Sequence, residues 1–242
     1  MNIFIPLLLL FVLRQNFYGF IIPTKYCIGD NNISCVEKMD FYANSLYSQK
    51  ELVNLPYFYS GCCDLSKDTN KEINNIGQNI FGDTLSLSSY HIKFGDDQNC
   101  VEVCNKTLFN DDLWKLKAAI KDSFQHEWMI DNLPVLSCSS SSPENRRMCA
   151  THFFIGCTTK ADSPYPRCLF GDKPSHFDYI ILNHLKFFVT YRVVFGSPDT
   201  AEILEVNVVP ESTTDCKLND KYLGFNDGTT TINAKFSYSV VF

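Results

Sequence analysis

The last third of the chain alternates. Between Tyr179 and Phe195, the residues Tyr179, Ile181, Leu185, Phe187, Val189, Tyr191 and Val193 fall on one side. His184, Lys186, Thr190 and Arg192 fall on the other. A period of two is the spacing of a pleated strand with one buried face. The run is longer than ordinary strands of about five or six residues, so it predicts a bulge or bend near Asn183 and His184. Leu204, Val206 and Val208 then alternate with Glu205 and Asn207, and Pro210 reads as the end of that run. Ile232, Ala234, Phe236, Tyr238 and Val240 alternate with Asn233, Lys235, Ser237 and Ser239. The expectation is an antiparallel sheet with one wet face, and therefore a mainly β fold, an antiparallel β-sandwich built as one large lobe or two packed lobes.

One segment departs from this period. Leu113, Leu116, Ile120, Phe124 and Trp128 recur in steps of three or four, with Lys115, Lys117, Lys121, Asp122 and Gln125 opposite. That pattern predicts an amphipathic helix from Asp111 to Trp128, packed on the core. Asp111 and Asp112 can cap its first N–H groups, and Asn132 with Pro134 reads as its stop. Thr84 to Phe94 is a weaker strand or hairpin candidate between Gly82-Asp83 and Gly95-Asp96. Ser137 to Arg147, with serines at 139 through 142, has no periodicity and reads as a surface loop.

Compartment follows from the N-terminus and the cysteines. Ile3 to Leu13 is an unbroken apolar run, the length of a signal-peptide core and too short to span a bilayer. Residues 1–19 are therefore assigned to a signal peptide and 20–242 to the mature domain. No Lys or Arg precedes the run and no Ala-x-Ala site follows it, so an uncleaved anchor is the alternative. All eleven cysteines lie beyond Leu13, and an oxidising lumen converts such thiols to bridges. Cys138, Cys149, Cys157 and Cys168 are expected to tie down a weakly ordered region, with the pairing open. The odd count leaves at least one cysteine without an intramolecular bridge. Sequons at Asn32 and Asn105 point to the same compartment. With 21 basic against 27 acidic residues, no dense cationic patch is available to displace counterions from a nucleic acid.

Several words, in order, resemble the lumenal domain of the transmembrane-nine superfamily, also called nonaspanins or the endomembrane protein 70 family. They are Phe17-Tyr18 with Pro23 and Gly29-Asp30, Asn44-Ser-Leu-Tyr-Ser48, Leu55-Pro-Tyr-Phe-Tyr59 closed by Cys62, and Asn75-Ile-Gly-Gln with Gly82-Asp83. They continue with Cys100-Val-Glu-Val-Cys104, Asp131-Asn132-Leu133-Pro134-Val135, Asn183-His184-Leu185-Lys-Phe187, Val206 to Ser212 and Phe236-Ser-Tyr-Ser-Val240. Cys27, Cys35, Cys63 and the four cysteines from Cys138 to Cys168 are additional to the family pattern, which marks a divergent member. The resemblance implies a sandwich followed by a nine-helix membrane portion. The sequence stops at Phe242 without a run of eighteen apolar residues, so that portion is expected to be absent here, and membrane association would come only through a continuation beyond Phe242.

By the same resemblance, the domain serves the sorting and localisation of membrane proteins through Golgi and endosomes. Its partners are membrane-protein cargo or its own membrane portion. A secreted, soluble binding or adhesion module is the competing reading. No enzyme is expected, with no catalytic residue, cofactor, metal, nucleic acid or small-molecule substrate. No cysteine lies in a recognisable nucleophile context. Cys100 and Cys104 have a spacing that suits zinc ligation, but no second pair matches them. They are instead expected in bridges, with Cys62 and Cys216 as candidate partners. His184 is placed on the polar strand face. Asn183 is placed inward, where it must bond backbone groups freed at the bulge, and Glu127 with Asp131 reads as capping and solvation rather than an acid–base pair.

Overall fold

A computed structural model describes residues 23–28, 35–62, 85–141, 146–160, 168, 176–216 and 222–242. The signal peptide, the Asn32 sequon and the words at Phe17, Gly29, Asn75 and Gly82 lie outside the described residues. The strands, in chain order, begin with β1 (Tyr26–Cys27), β2 (Lys38–Ala43), β3 (Ser86–Lys93), β4 (Gln98–Phe109) and β5 (Gln125–Ile130). Then come β6 (Leu133–Pro134), β7 (Ser137–Ser141), β8 (Arg146–Ala150), β9 (His152–Phe154) and β10 (Gly156–Thr158). The last five are β11 (Tyr179–Ile181), β12 (His184–Val194), β13 (Ser197–Glu211), β14 (Gly224–Phe225) and β15 (Thr231–Val241). Among the described residues, the α-helix α1 (Asn110–Lys121) follows β4.

The alternating C-terminal runs form the larger sheet, ordered β1-β13-β12-β15-β4. A second sheet, β3-β2-β5-β6, faces it, and β9 adds to β5. Between them lies an aromatic core. Phe41 of the second sheet meets Phe187 of the first at 5.0 Å between ring centroids, and Tyr90 meets Tyr238 at 5.6 Å. Aromatic residues bury large areas and prefer such tilted contacts, so these rings join the two faces as a mainly β, disulfide-containing sandwich. A smaller sheet, β10-β11-β14, approaches α1 closely: a Cβ on Gly156 would lie 2.7 Å from the Ile120 Cδ1 atom. Among the described residues no helix is long and apolar enough to cross a membrane.

Five expectations need correction. First, the helix ends at Lys121 rather than Trp128. Ser123 takes a left-handed φ of 59°, and the N–H groups of Ser123 and Phe124 return to the carbonyls of Ile120 and Ala119. That is a Schellman closure. Phe124 and Trp128 satisfy a helical spacing, but they satisfy alternation too, and His126, Trp128 and Ile130 are buried together as one face of β5. Second, Asp131-Asn132 is no helix stop. Both residues have positive φ, 48° and 60°, between the paired Ile130 and Leu133, which is the two-residue hairpin geometry that Asn and Asp tolerate.

Third, Ser137 to Arg147 contains strands β7 and β8, held as a hairpin by Cys138–Cys149. Fourth, β12 and β15 are parallel, so the larger sheet is mixed. Its second face is not simply wet, since Ser237 and Ser239 are buried. Fifth, Pro210 does not end its strand but pairs with Leu185 in the penultimate position of β13. The Thr84–Phe94 candidate is realised as β3, and the predicted break in the long run separates β11 from β12 at Leu182-Asn183.

Candidate functional site

The words that carry the resemblance converge on joints between elements. At the break before β12, Asn183 is buried, and its Nδ2 donates to the carbonyls of Thr213 at 2.8 Å and Lys235 at 2.6 Å. Its Oδ1 accepts the Thr213 N–H at 3.0 Å. One side chain thus bonds three backbone groups at this joint, the inward role predicted for it.

His184 is the exception to its expected place. It is 5% exposed rather than on a wet face. Its Nδ1 lies 2.8 Å from Ser237 Oγ and its Nε2 lies 3.1 Å from Ser239 Oγ. The reason is the segment after β13, which crosses this face and is pinned by the Cys100–Cys216 bridge, with Cys216 Sγ 3.6 Å from His184 Nδ1. Both half-cystines take left-handed backbones, with φ of 52° and 57°. Burial lowers the His184 pKa, and Lys186 adds to the fall, which favours the neutral ring, and hydroxyls lie against both of its nitrogens. A hydroxyl beside an imidazole resembles part of a nucleophilic pair. Here both ring nitrogens are committed inside the protein, no carboxylate among the described residues is hydrogen-bonded to the ring, and the nearby sulfur is bridged.

Other predicted residues are dispersed. Cys104 is also disulfide-bonded, so the Cys100-to-Cys104 segment supplies two bridges. Cys62, expected among the bridge candidates, remains a buried thiol with its sulfur 3.9 Å from Tyr90 Oη. Cys157–Cys168 and Cys138–Cys149 close two local loops, and Cys27–Cys35 closes a third. Glu127 accepts from Asn44 Nδ2 at 2.9 Å, whereas Asp131 accepts the Thr24 N–H at 2.8 Å and also the Thr24 hydroxyl. The two carboxylates therefore serve separate contacts. Val135 is fully buried, and its N–H donates to Trp128 across the hairpin. Leu185 and Phe187 are buried in the core.

Asn105 is exposed on β4, which is the outer strand of its sheet, and Thr107 of the same sequon donates to Asn233 at 2.9 Å. Among the described residues no group of three or more His, Cys, Asp or Glu side chains is arranged to hold a metal ion.

Sequence reasoning missed His126. It is buried among Tyr57, Trp128 and Phe153, and desolvation holds its pKa down to about 3. Its position at alternate spacing with Trp128 and Ile130 was the available signal.

Residues 54–242 match the family pattern described as Endomembrane protein 70. The chain is 27% identical over 201 residues to Transmembrane 9 superfamily member 2 of Rattus norvegicus, covering 78% of the chain and 30% of that relative. It is equally similar to member 2 of Homo sapiens, with the same coverage. Transmembrane 9 superfamily member 5 of Arabidopsis thaliana is 25% identical over 165 residues, covering 68% of the chain and 22% of that relative. The chain thus spans about a third or less of the length of these relatives.

Proposed function

This chain belongs to the Endomembrane protein 70 family, and from that premise we propose that it is a lumenal head of a membrane-protein sorting factor, acting without enzymatic chemistry. The head faces the lumen of Golgi and endosomes and contacts membrane-protein cargo or a membrane-embedded portion. The observation that carries this reading is the employment of the family words: Asn183, His184, the Cys100-to-Cys104 segment and Asp131 are all spent on joining elements. A scaffold whose polar joints are internally satisfied leaves its outer surface for contact rather than for chemistry. The bridges support a lumenal address, and so does the exposed Asn105 sequon.

The test uses epitope-tagged protein in its own cells. The expected result is a tag protected from protease until membranes are opened, a glycan lost in Asn105→Gln, overlap with Golgi or endosomal markers, and altered surface display of membrane proteins when the gene is deleted. A cytosol-accessible tag, or surface display unchanged by deletion, rejects the reading. Quantitative release of soluble glycoprotein into the medium favours the secreted binding module instead.

A further inference from the structure

Among the described bridges, the one with the longest span ends beside an imidazole. Cys27–Cys35, Cys138–Cys149 and Cys157–Cys168 join cysteines 8, 11 and 11 residues apart, whereas Cys100–Cys216 spans 116. Cys100 lies at the register shift between Val101 opposite Tyr238 and Gln98 opposite Val240, so Asn99 and Cys100 together face Ser239. Such a bulge re-aims a side chain, and here it turns the Cys100 sulfur toward the segment that follows β13. Both half-cystines are left-handed, with φ of 52° and 57°, a backbone that a residue with a β-carbon keeps only where its surroundings enforce it. Both are half-buried, and Asn99 beside Cys100 is exposed.

The hydrogen bonds around His184 assign its proton. Ser239 Oγ accepts the Cys100 N–H at 3.0 Å and gives its own proton to Asn99 Oδ1 at 3.1 Å. Nε2 of the ring, 3.1 Å from the same oxygen, is therefore the donor there, which leaves Nδ1 bare. That nitrogen faces the Ser237 hydroxyl at 2.8 Å and the Cys216 sulfur at 3.6 Å, and Ser237 Oγ is itself 3.3 Å from the sulfur. A base oriented through its other nitrogen and a hydroxyl donor are thus aimed at one sulfur of a bridge. While the bridge is closed, that sulfur has no proton to give. Once it opens, a thiolate at this distance supplies the opposite charge that favours an imidazolium. Lys186 is the charged group that acts on the ring, whereas Asp215 and Glu102 face Lys235.

We propose that Cys100–Cys216 is an exchangeable disulfide, opened by a dithiol oxidoreductase, with Cys216 leaving onto His184 and Ser237. A thiolate of the dithiol attacks Cys100 Sγ, the S–S bond breaks, and its electron pair goes to Cys216 Sγ. The second thiol of the dithiol then attacks the mixed disulfide. The partner's own disulfide forms, and Cys100 leaves and takes the proton of that second thiol. Cys216 keeps its charge, held by the Ser237 hydroxyl, until solvent protonates the His184–Cys216 pair. The partner is oxidised and the bridge is reduced. Opening frees the Cys216 end of the segment that covers His184, while Thr213 at the other end stays bonded to Asn183. The chain is the substrate of this exchange and not its catalyst. The inference stands on the bridge and its surroundings, not on the sorting role.

Graded treatment of the purified, oxidised full chain with dithiothreitol tests it, with iodoacetamide trapping and peptide mapping at each step. Cys100 and Cys216 are expected to label together at dithiol concentrations that leave Cys27–Cys35 and Cys157–Cys168 closed. Amide exchange is expected to rise from Thr213 to Cys216 and to stay unchanged from Leu185 to Val189. In the opened chain, Cys216 is expected to react with iodoacetamide well below the pKa of about 8.5 of an ordinary thiol, and Cys100 in the ordinary range. Ser237→Ala is expected to slow opening about tenfold, because the departing anion loses a hydrogen bond. His184→Asn is expected to return Cys216 to an ordinary pH profile; if that variant does not fold, the parent's profile and Ser237→Ala decide. A bridge that opens only in denaturant that unfolds the chain, a reduced Cys216 with an ordinary profile, or a Ser237→Ala chain that opens at the parent's rate would each overturn the proposal.

Discussion

Between the two large sheets, Trp128 is fully buried, with Tyr90, Phe41, Phe153 and Phe187 around it at 4.8 to 6.2 Å between ring centroids. On the flank, none of the described side chains of the β7–β8 hairpin belongs to the hydrophobic core; Met148 is 64% exposed, and the hairpin's own tie is Cys138–Cys149. It leans on β13 through the Arg147 pair with Glu205 and through the Cys138 N–H, which donates to Asn207 at 3.0 Å. The first region is ordered by burial, which grows with every apolar atom removed from water. The second has little to bury and is ordered by a covalent staple, the device of chains with too small a core to suffice. The comparison predicts that damage to the two regions will be felt on very different scales.

The largest effect tests the body. Trp128→Ala removes the ring that touches both sheets, and losses of this kind cost about 3–5 kcal/mol because the cavity only partly collapses. Urea unfolding of the oxidised protein should show that loss in full, with every bridge still present. A loss below about 1 kcal/mol would mean that the bridges, not the aromatic core, hold the body together.

A smaller effect sharpens what the core contains. His126 sits among the core rings, with its pKa held near 3 by desolvation against 6.5 in an open chain. The folded-state pKa is depressed, so the unfolded chain binds the proton first. Stability from this residue is fully present above 6.5, falls as pH drops below that value, and stops falling near 3. The slope is about 1.4 kcal/mol per pH unit inside the window, or roughly 2 kcal/mol between pH 7 and pH 5. His184 contributes with the same sign, since burial lowers its pKa as well. His126→Leu should flatten the acid limb of the melting curve, and an unchanged limb in that variant would assign the acid sensitivity elsewhere.

The same contrast explains what was legible in the sequence. Residues that alternate because one face is buried, such as Ile232 to Val240, announced their strand, and the inward Asn183 announced its bond-forming role. Phe124 and Trp128 misled because steps of four fit a helix and a strand alike; what decides between them is the buried partner sheet, which is not a local property. Asp131-Asn132 misled because a helix stop and a tight hairpin favour similar residues. His184 was misplaced because the segment that covers it is brought there by a bridge spanning 116 residues. The serines of β7 gave no periodic signal at all, since a stapled hairpin on an outer face needs no apolar alternation.

The smallest expected effect is the sharpest test of the comparison. Cys138→Ser with Cys149→Ser removes a bridge that spans only 11 residues of sequence. Chain-entropy reasoning assigns a loop of that size about 3 kcal/mol if its closure is part of global folding. Since none of the hairpin's described side chains belongs to the core, the body should unfold without regard to it. The double variant should therefore change the global unfolding free energy by less than about 0.5 kcal/mol, the ordinary range for a surface change. Amide exchange along β7 and β8 should meanwhile rise, along with cleavage near Arg146 and Arg147. If global stability instead fell by the full amount, the flank would be part of the cooperative unit and the division between buried body and stapled margin would not hold.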